Sequence, residues 1–96
     1  MLFVLNCIDK KNALQLRTDT REAHLEYLRQ TGVARFGGPF LNGKGDMIGS
    51  MLVIDVADKD AAKAWAANDP YAKAGLFEKT SIRAWKLTFN PNNITV

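Results

Sequence analysis

The sequence predicts an α+β fold: one ferredoxin-like domain of order β-α-β-β-α-β, with both helices on one face of an antiparallel sheet. Three observations lead there. An apolar, strand-like run opens the chain at residues 2–8. Asn42-Gly43-Lys44-Gly45-Asp46 is a hairpin turn signal set between two apolar runs. Two helical stretches follow the first and third of the strand-like runs, which makes two βαβ halves.

Residues 2–8 are too few for a stable helix, and Phe3, Val4 and Ile8 favour a pleated backbone. Residues 9–12 are a polar break, and 13–17 a short helical turn. Asp19 is expected to start the main helix, with Glu22 three positions on completing a capping box. Leu25 and Leu28 give that helix its apolar face. Gly32 ends it, because glycine accepts the left-handed backbone found just past helix termini. Residues 33–36 form the second strand, which runs into Gly37-Gly38-Pro39. Residues 48–56 form the third, with Met51, Val53 and Asp55 on the face opposite Leu52, Ile54 and Val56. Asp58 opens the second helix, which is rich in alanine and anchored by Trp65. Asp69-Pro70 closes it, since the residue before proline is driven out of the helical region. Residues 71–76 make a short turn stopped by Gly75. Residues 81–89 are the fourth strand, and 90–96 a polar tail.

The sheet so assembled is apolar on both faces, but the helices cover only one. A second copy of the chain is the simplest cover, so a homodimer joined through the sheet faces is expected.

Composition narrows the function classes. The 96 residues make a single domain, 1–96. Thirteen basic and ten acidic residues give a net charge of +3, but they are scattered. That argues against a nucleic-acid footprint, which is a clustered basic stripe, and suits a small anionic ligand. One cysteine and one histidine provide no metal-ligand spacing, so no metal is expected. The thiol count favours a reducing cytoplasm. The opening run is neither a signal peptide nor a membrane span.

His24 is the only side chain whose ordinary pKa suits proton transfer near neutrality. Arg17, Arg21, His24 and Leu28 follow a spacing of four, three and four, one stripe if the helical geometry extends back to Arg17. Such a stripe can hold an anionic or phenolic substrate beside a base. On spacing alone the plainer reading, a solvated helix face, is preferred. Asp69 is either a turn residue or an acid that orients an imidazole. Gly37-Gly38-Pro39 and Gly49-Ser50 are either bends or places where backbone and hydroxyl approach a ligand. They lack the lysine of a phosphate loop. Trp65 and Trp85 are assigned to the core, Tyr71 to core or pocket, and Cys7 to a buried structural role.

Arg17, Arg21 with His24-Leu25 and Tyr27-Leu28, Gly38-Pro39, Gly49-Ser50, Asp69-Pro70-Tyr71, Ala74-Gly75-Leu76 and Ile82-Arg83-Ala84-Trp85 together resemble the YciI-like (YCII-related) domain family. The departure is Ala84, where the family often has proline. The resemblance spans residues 2–87. It implies a dimeric ferredoxin-like α/β barrel, and a cleft where His24 and Asp69 meet as a catalytic dyad. It also implies kinship with cofactor-free dehydrochlorinases of chlorinated hydroxyhydroquinones in aromatic degradation. The expected chemistry is then lyase or isomerase type, including lactone isomerisation. His24 would be acid or base and Asp69 its orienter. Arg17, Arg21, Gly38, Ser50 and Tyr71 would bind substrate. The competing expectation is a non-catalytic module that binds a small metabolite.

Overall fold

The computed structural model describes residues 1–96. Its elements are β1 (Leu2–Asp9), α1 (Leu14–Thr31), β2 (Ala34–Leu41), β3 (Met47–Asp55), α2 (Lys59–Asn68), a single-turn α3 (Pro70–Lys73) and β4 (Phe77–Trp85). The strands form one antiparallel sheet in the order β2-β3-β1-β4. This is the ferredoxin-like arrangement expected from the element order. No helix is long and apolar enough to cross a membrane.

Alternation along the two central strands builds the core. Phe3, Leu5 and Cys7 of β1 share a face with Leu52 and Ile54 of β3, and α2 covers them with Ala62 and Trp65. Two hydrogen bonds tie α1 to α2: the Tyr27 hydroxyl donates to the Trp65 carbonyl at 2.7 Å, and the Trp65 indole donates to Thr31 Oγ1 at 3.0 Å. A buried indole N–H left without an acceptor would oppose folding, so these bonds also fix where Trp65 sits.

Four local features differ from expectation. The main helix starts at Leu14, and Asp19 lies inside it, accepting from Gln15 Nε2 at 2.8 Å instead of capping. The chain leaves β1 through Asn12, whose φ is 57°, and the Ala13 carbonyl already receives the Arg17 amide. The helix therefore begins a turn and a half before the capping-box sequence. Strand β2 continues through Gly37-Gly38-Pro39 to Leu41. As an edge strand it tolerates a proline, which has no N–H to contribute to the ladder, and Gly37, Gly38 and Pro39 pair in unbroken register with Leu52, Met51 and Ser50. Strand β4 spans Phe77–Trp85 and not 81–89. Its partner β1 starts at Leu2, which pairs with Trp85, so pairing beyond that point has nothing to bond to. Finally, Trp85 is outside the core. It lies on the sheet face away from the helices, edge-on to Phe36 at 6.2 Å.

That outer face carries Val4, Met51, Val53, Phe36 and Trp85 around a groove of about 350 Å³, with Asn6 and Arg83 among them. The turn at 42–46 forms as expected, although the left-handed residue is Gly45, at φ 83°. Asn42 Oδ1 fastens it by accepting from the amides of Lys44 and Asp46. Gly49 is obligatory for a different reason: a Cβ there would sit 2.4 Å from the Cys7 carbonyl oxygen.

The Cys7 thiol is pushed from 9.0 up to about 11, chiefly by burial; the Thr80 hydrogen bond and Arg17 oppose the rise, and the Asp69 and Asp9 carboxylates add to it. A raised thiol pKa means that this group's contribution to stability is complete below pH 9 and fades as pH rises toward about 11. At pH 8 the native thiolate fraction is then about a hundredfold below that of the unfolded chain. A disulfide reagent is expected to label Cys7 at least about a hundredfold more slowly in native buffer than in denaturant. Equal rates would show that the strand does not bury the thiol.

Candidate active site

The site is built where the end of β1, the first three turns of α1, the middle of β3 and the α2–α3 junction converge. Continuing the buried face of β1 by two residues from Cys7 brings Asp9 inward. Arg17, in the first turn of α1, meets it. Nε donates to Asp9 Oδ2 at 2.7 Å and Nη2 to Oδ1 at 2.8 Å, a bidentate pair. Nη2 also donates to Ser50 Oγ at 3.0 Å. Arg17 is 2% exposed, Asp9 8% and Ser50 5%. Burial alone would weaken the guanidinium charge, but the Asp9 hydrogen bond and charge outweigh it and hold Arg17 above its ordinary pKa.

Two turns further along α1, His24 faces Asp69. Its Nδ1 lies 2.9 Å from Oδ1 and 3.0 Å from Oδ2. An ionised carboxylate only accepts, so Nδ1 carries the proton. Nε2 makes no hydrogen bond within the chain, and its lone pair in the neutral ring is free for a proton. Asp69 is fixed independently of His24. It ends α2 ahead of Pro70 and caps α3, where Oδ1 accepts the Tyr71 amide at 2.9 Å. Tyr71 joins the two halves of the site. Its ring stacks on His24 with centroids 4.0 Å apart and planes 18° apart, and the Arg17 guanidinium lies 4.7 Å from its centroid. Burial raises the Tyr71 pKa, opposed by Arg17 and Arg21, so the phenol stays protonated and can donate near neutrality.

Arg17, Arg21, His24, Gly38, Ser50 and Tyr71 all line one cleft of about 170 Å³, with Asp69 behind His24. The sequence-derived residues are thus brought together, but two differ in what they offer. Ser50 Oγ is occupied by Arg17, so it is part of the clamp and not a free hydroxyl. Arg17 is itself held by Asp9, which leaves exposed Arg21 as the cation without a carboxylate partner. Asp9 is the residue that sequence reasoning missed. Its signal was the period-two continuation of Phe3, Leu5 and Cys7, which placed a charge where a core side chain belongs. No group of His, Cys, Asp and Glu in the structure is arranged to hold a metal ion.

A ferredoxin-like α+β domain with a buried histidine–carboxylate pair at the back of a small cleft is the class these features define. The chain belongs to the YCII-related domain family, whose model matches residues 1–86. It is 33% identical to protein YciI of Escherichia coli O6:H1 over 98 aligned residues, covering 93% of this chain and all of that protein. An uncharacterized protein of Haemophilus influenzae is 29% identical with the same coverage. Among solved structures, the 5-chloro-2-hydroxyhydroquinone dehydrochlorinase of Burkholderia phenoliruptrix AC1100, in complex with 2,5-dihydroxybenzoquinone, superimposes with a TM-score of 0.83. It is 37% identical, with coverage of 90% of this chain and 94% of that one.

The Asp9–Arg17 pair gives a test of the clamp. Asp9→Asn leaves a buried guanidinium without its counter-charge, which is expected to cost about 3–5 kcal/mol in urea denaturation. Replacing both partners by apolar residues, Asp9→Leu with Arg17→Met, is expected to restore much of that loss while emptying the cleft of its fixed cation. A single variant as stable as wild type would mean the pair is not buried in solution.

Proposed function

We propose that this protein is a cofactor-free enzyme of lyase or isomerase type that acts on a small phenolic ring. Removal of HCl from a chlorinated hydroxyhydroquinone is the favoured reaction. The observation that carries the reading is the His24–Asp69 pair with Nε2 unpartnered at the cleft. The cleft volume of about 170 Å³ supports a single ring, since a cavity of about 150 Å³ accommodates benzene. The dehydrochlorinase likeness supports the reaction class.

In this mechanism His24 Nε2 takes a proton from a ring hydroxyl. The electron pair moves through the ring, and the chlorine-bearing carbon is protonated. Chloride then departs with the C–Cl electron pair as a second hydroxyl loses its proton. The product is a hydroxyquinone, and the net loss is one proton and one chloride. No external oxidant is needed for that balance. Asp69 keeps Nδ1 protonated and stabilises the imidazolium. Arg17 is a cation held in place, and Arg21 a second at the rim. Both favour the developing phenolate, which is worth most in a site that excludes water. Tyr71 positions the imidazole by stacking, and Gly38 forms the opposite wall without a side chain to fill it. The same parts would serve a lactone isomerisation, where a proton is moved and none is lost. The exposed apolar outer face of the sheet supports a homodimer.

Chloride release from 5-chloro-2-hydroxyhydroquinone tests the reaction. His24→Ala is expected to lower the rate by about 10²–10⁴. Asp69→Asn is expected to lower it too, because an amide can impose the other tautomer. Full turnover by His24→Ala would remove the base, and wild-type protein that binds the ring unchanged would make this a binding module. Light scattering on Trp85→Glu with Met51→Glu tests the assembly: a monomeric variant from a dimeric wild type is expected. A wild type that is itself monomeric would sink the dimer.

A further inference from the structure

The His24 cleft is the smaller of the protein's recesses. A cavity of about 400 Å³ lies on the other side of Asp69, between α2 and the β1–β4 half of the sheet. It shares only Leu52 with the cleft. Its size falls in the range of small-molecule sites, about 300–1,000 Å³. Here α2 turns Ala66 and Ala67 toward the space, methyl groups where longer side chains would close it. The floor is apolar, made by Leu5, Leu52, Phe77 and Ile82. One end is cationic: Lys59 and Lys63 lie one turn apart on the same face of α2 as the alanines, and neither has a salt-bridge or hydrogen-bond partner. The other end is Asp69.

We propose that this cavity is a second ligand site, and that it takes a small organic carboxylate with an apolar, single-ring body. The lysines neutralise the carboxylate, and their methylene stems extend the apolar wall. Asp69 repels a second anionic group and so sets the direction in which the ligand enters. It already accepts from His24 and from the Tyr71 amide, so it prefers a neutral ligand end. Lys63 and Asp69 are six residues apart, about 9 Å of helix, which accommodates one ring and its carboxylate. Phosphate esters fit poorly, because the lining has no arginine fork. This assignment does not depend on the reaction proposed for the His24 cleft.

Benzoate titrated into the ¹⁵N-labelled full chain tests it. Saturable amide shifts are expected at Cys7, Thr80 and Ile82, which lie along the cavity. The Lys59→Ser with Lys63→Ser variant has both changes on the exposed surface and is expected to bind at least about fivefold more weakly. Ala66→Leu should abolish binding by filling the space. Benzyl alcohol, of similar shape but uncharged, should bind more weakly than benzoate. The proposal is overturned if benzoate shifts only residues of the His24 cleft or gives no saturable shift. It is also overturned if benzyl alcohol binds as tightly as benzoate, or if the double variant retains wild-type affinity.

Discussion

The carboxylate of Asp69 is the constraint on which the site depends. It stands where α2 must stop, because Pro70 follows. It caps the single turn of α3 through the Tyr71 amide, and it accepts the Nδ1 proton of His24. The backbone contacts hold it in place whatever the imidazole does. His24 is therefore oriented against a rigid acceptor, with no cost of ordering a loose one. The same turn delivers Tyr71 to the face of the imidazole, so the tripeptide Asp69-Pro70-Tyr71 supplies both the acceptor and the stacking partner.

The second fixed point is the buried Asp9–Arg17 pair. Ion pairs removed from water stabilise little beyond a well-packed apolar pair, because desolvation offsets most of their attraction. Retaining one here makes physical sense through what it fixes. The pair joins the end of β1 to the first turn of α1, reaches Ser50 on β3, and brings a permanent cation beneath Tyr71. Both fixed points lie at the same end of the sheet, where β1 ends at Asp9 and β4 begins at Phe77. The cleft forms between them, with the edge strand β2 as its far wall.

Most of the fold was legible because its signals are local. Pleat-favouring residues in a run too short for a helix marked β1, alternation marked β3, Gly32 and Asp69-Pro70 marked two helix ends, and Asp58 capped α2 as expected, accepting from Ala61 at 2.8 Å. The misplacements share a cause. Asp19-x-x-Glu22 satisfies a local capping rule, but the helix had already begun, driven by the turn at Asn12 and by the Arg17 anchor. Residues 86–89 have the pattern of a strand, but a strand ends where its partner does. Trp85 looked like core by size, and only the register of β4 on β1 shows that it faces away from the helices.

The candidate site divides along the same line. By itself the sequence determined the helical positions of Arg21 and His24, the turn at Asp69-Pro70 and the apolar strands, because each depends on spacing over a few residues; Arg17 joins their stripe because the helix starts at Leu14. Only the tertiary structure decided that His24 and Asp69, 45 positions apart, share a hydrogen bond. It alone decided that Ser50 belongs to the Arg17 clamp, and that Asp9 closes that clamp. Those outcomes follow from how the sheet register and the helix packing bring distant segments together. A side chain's partner across such a junction is set by geometry that no short stretch of sequence contains.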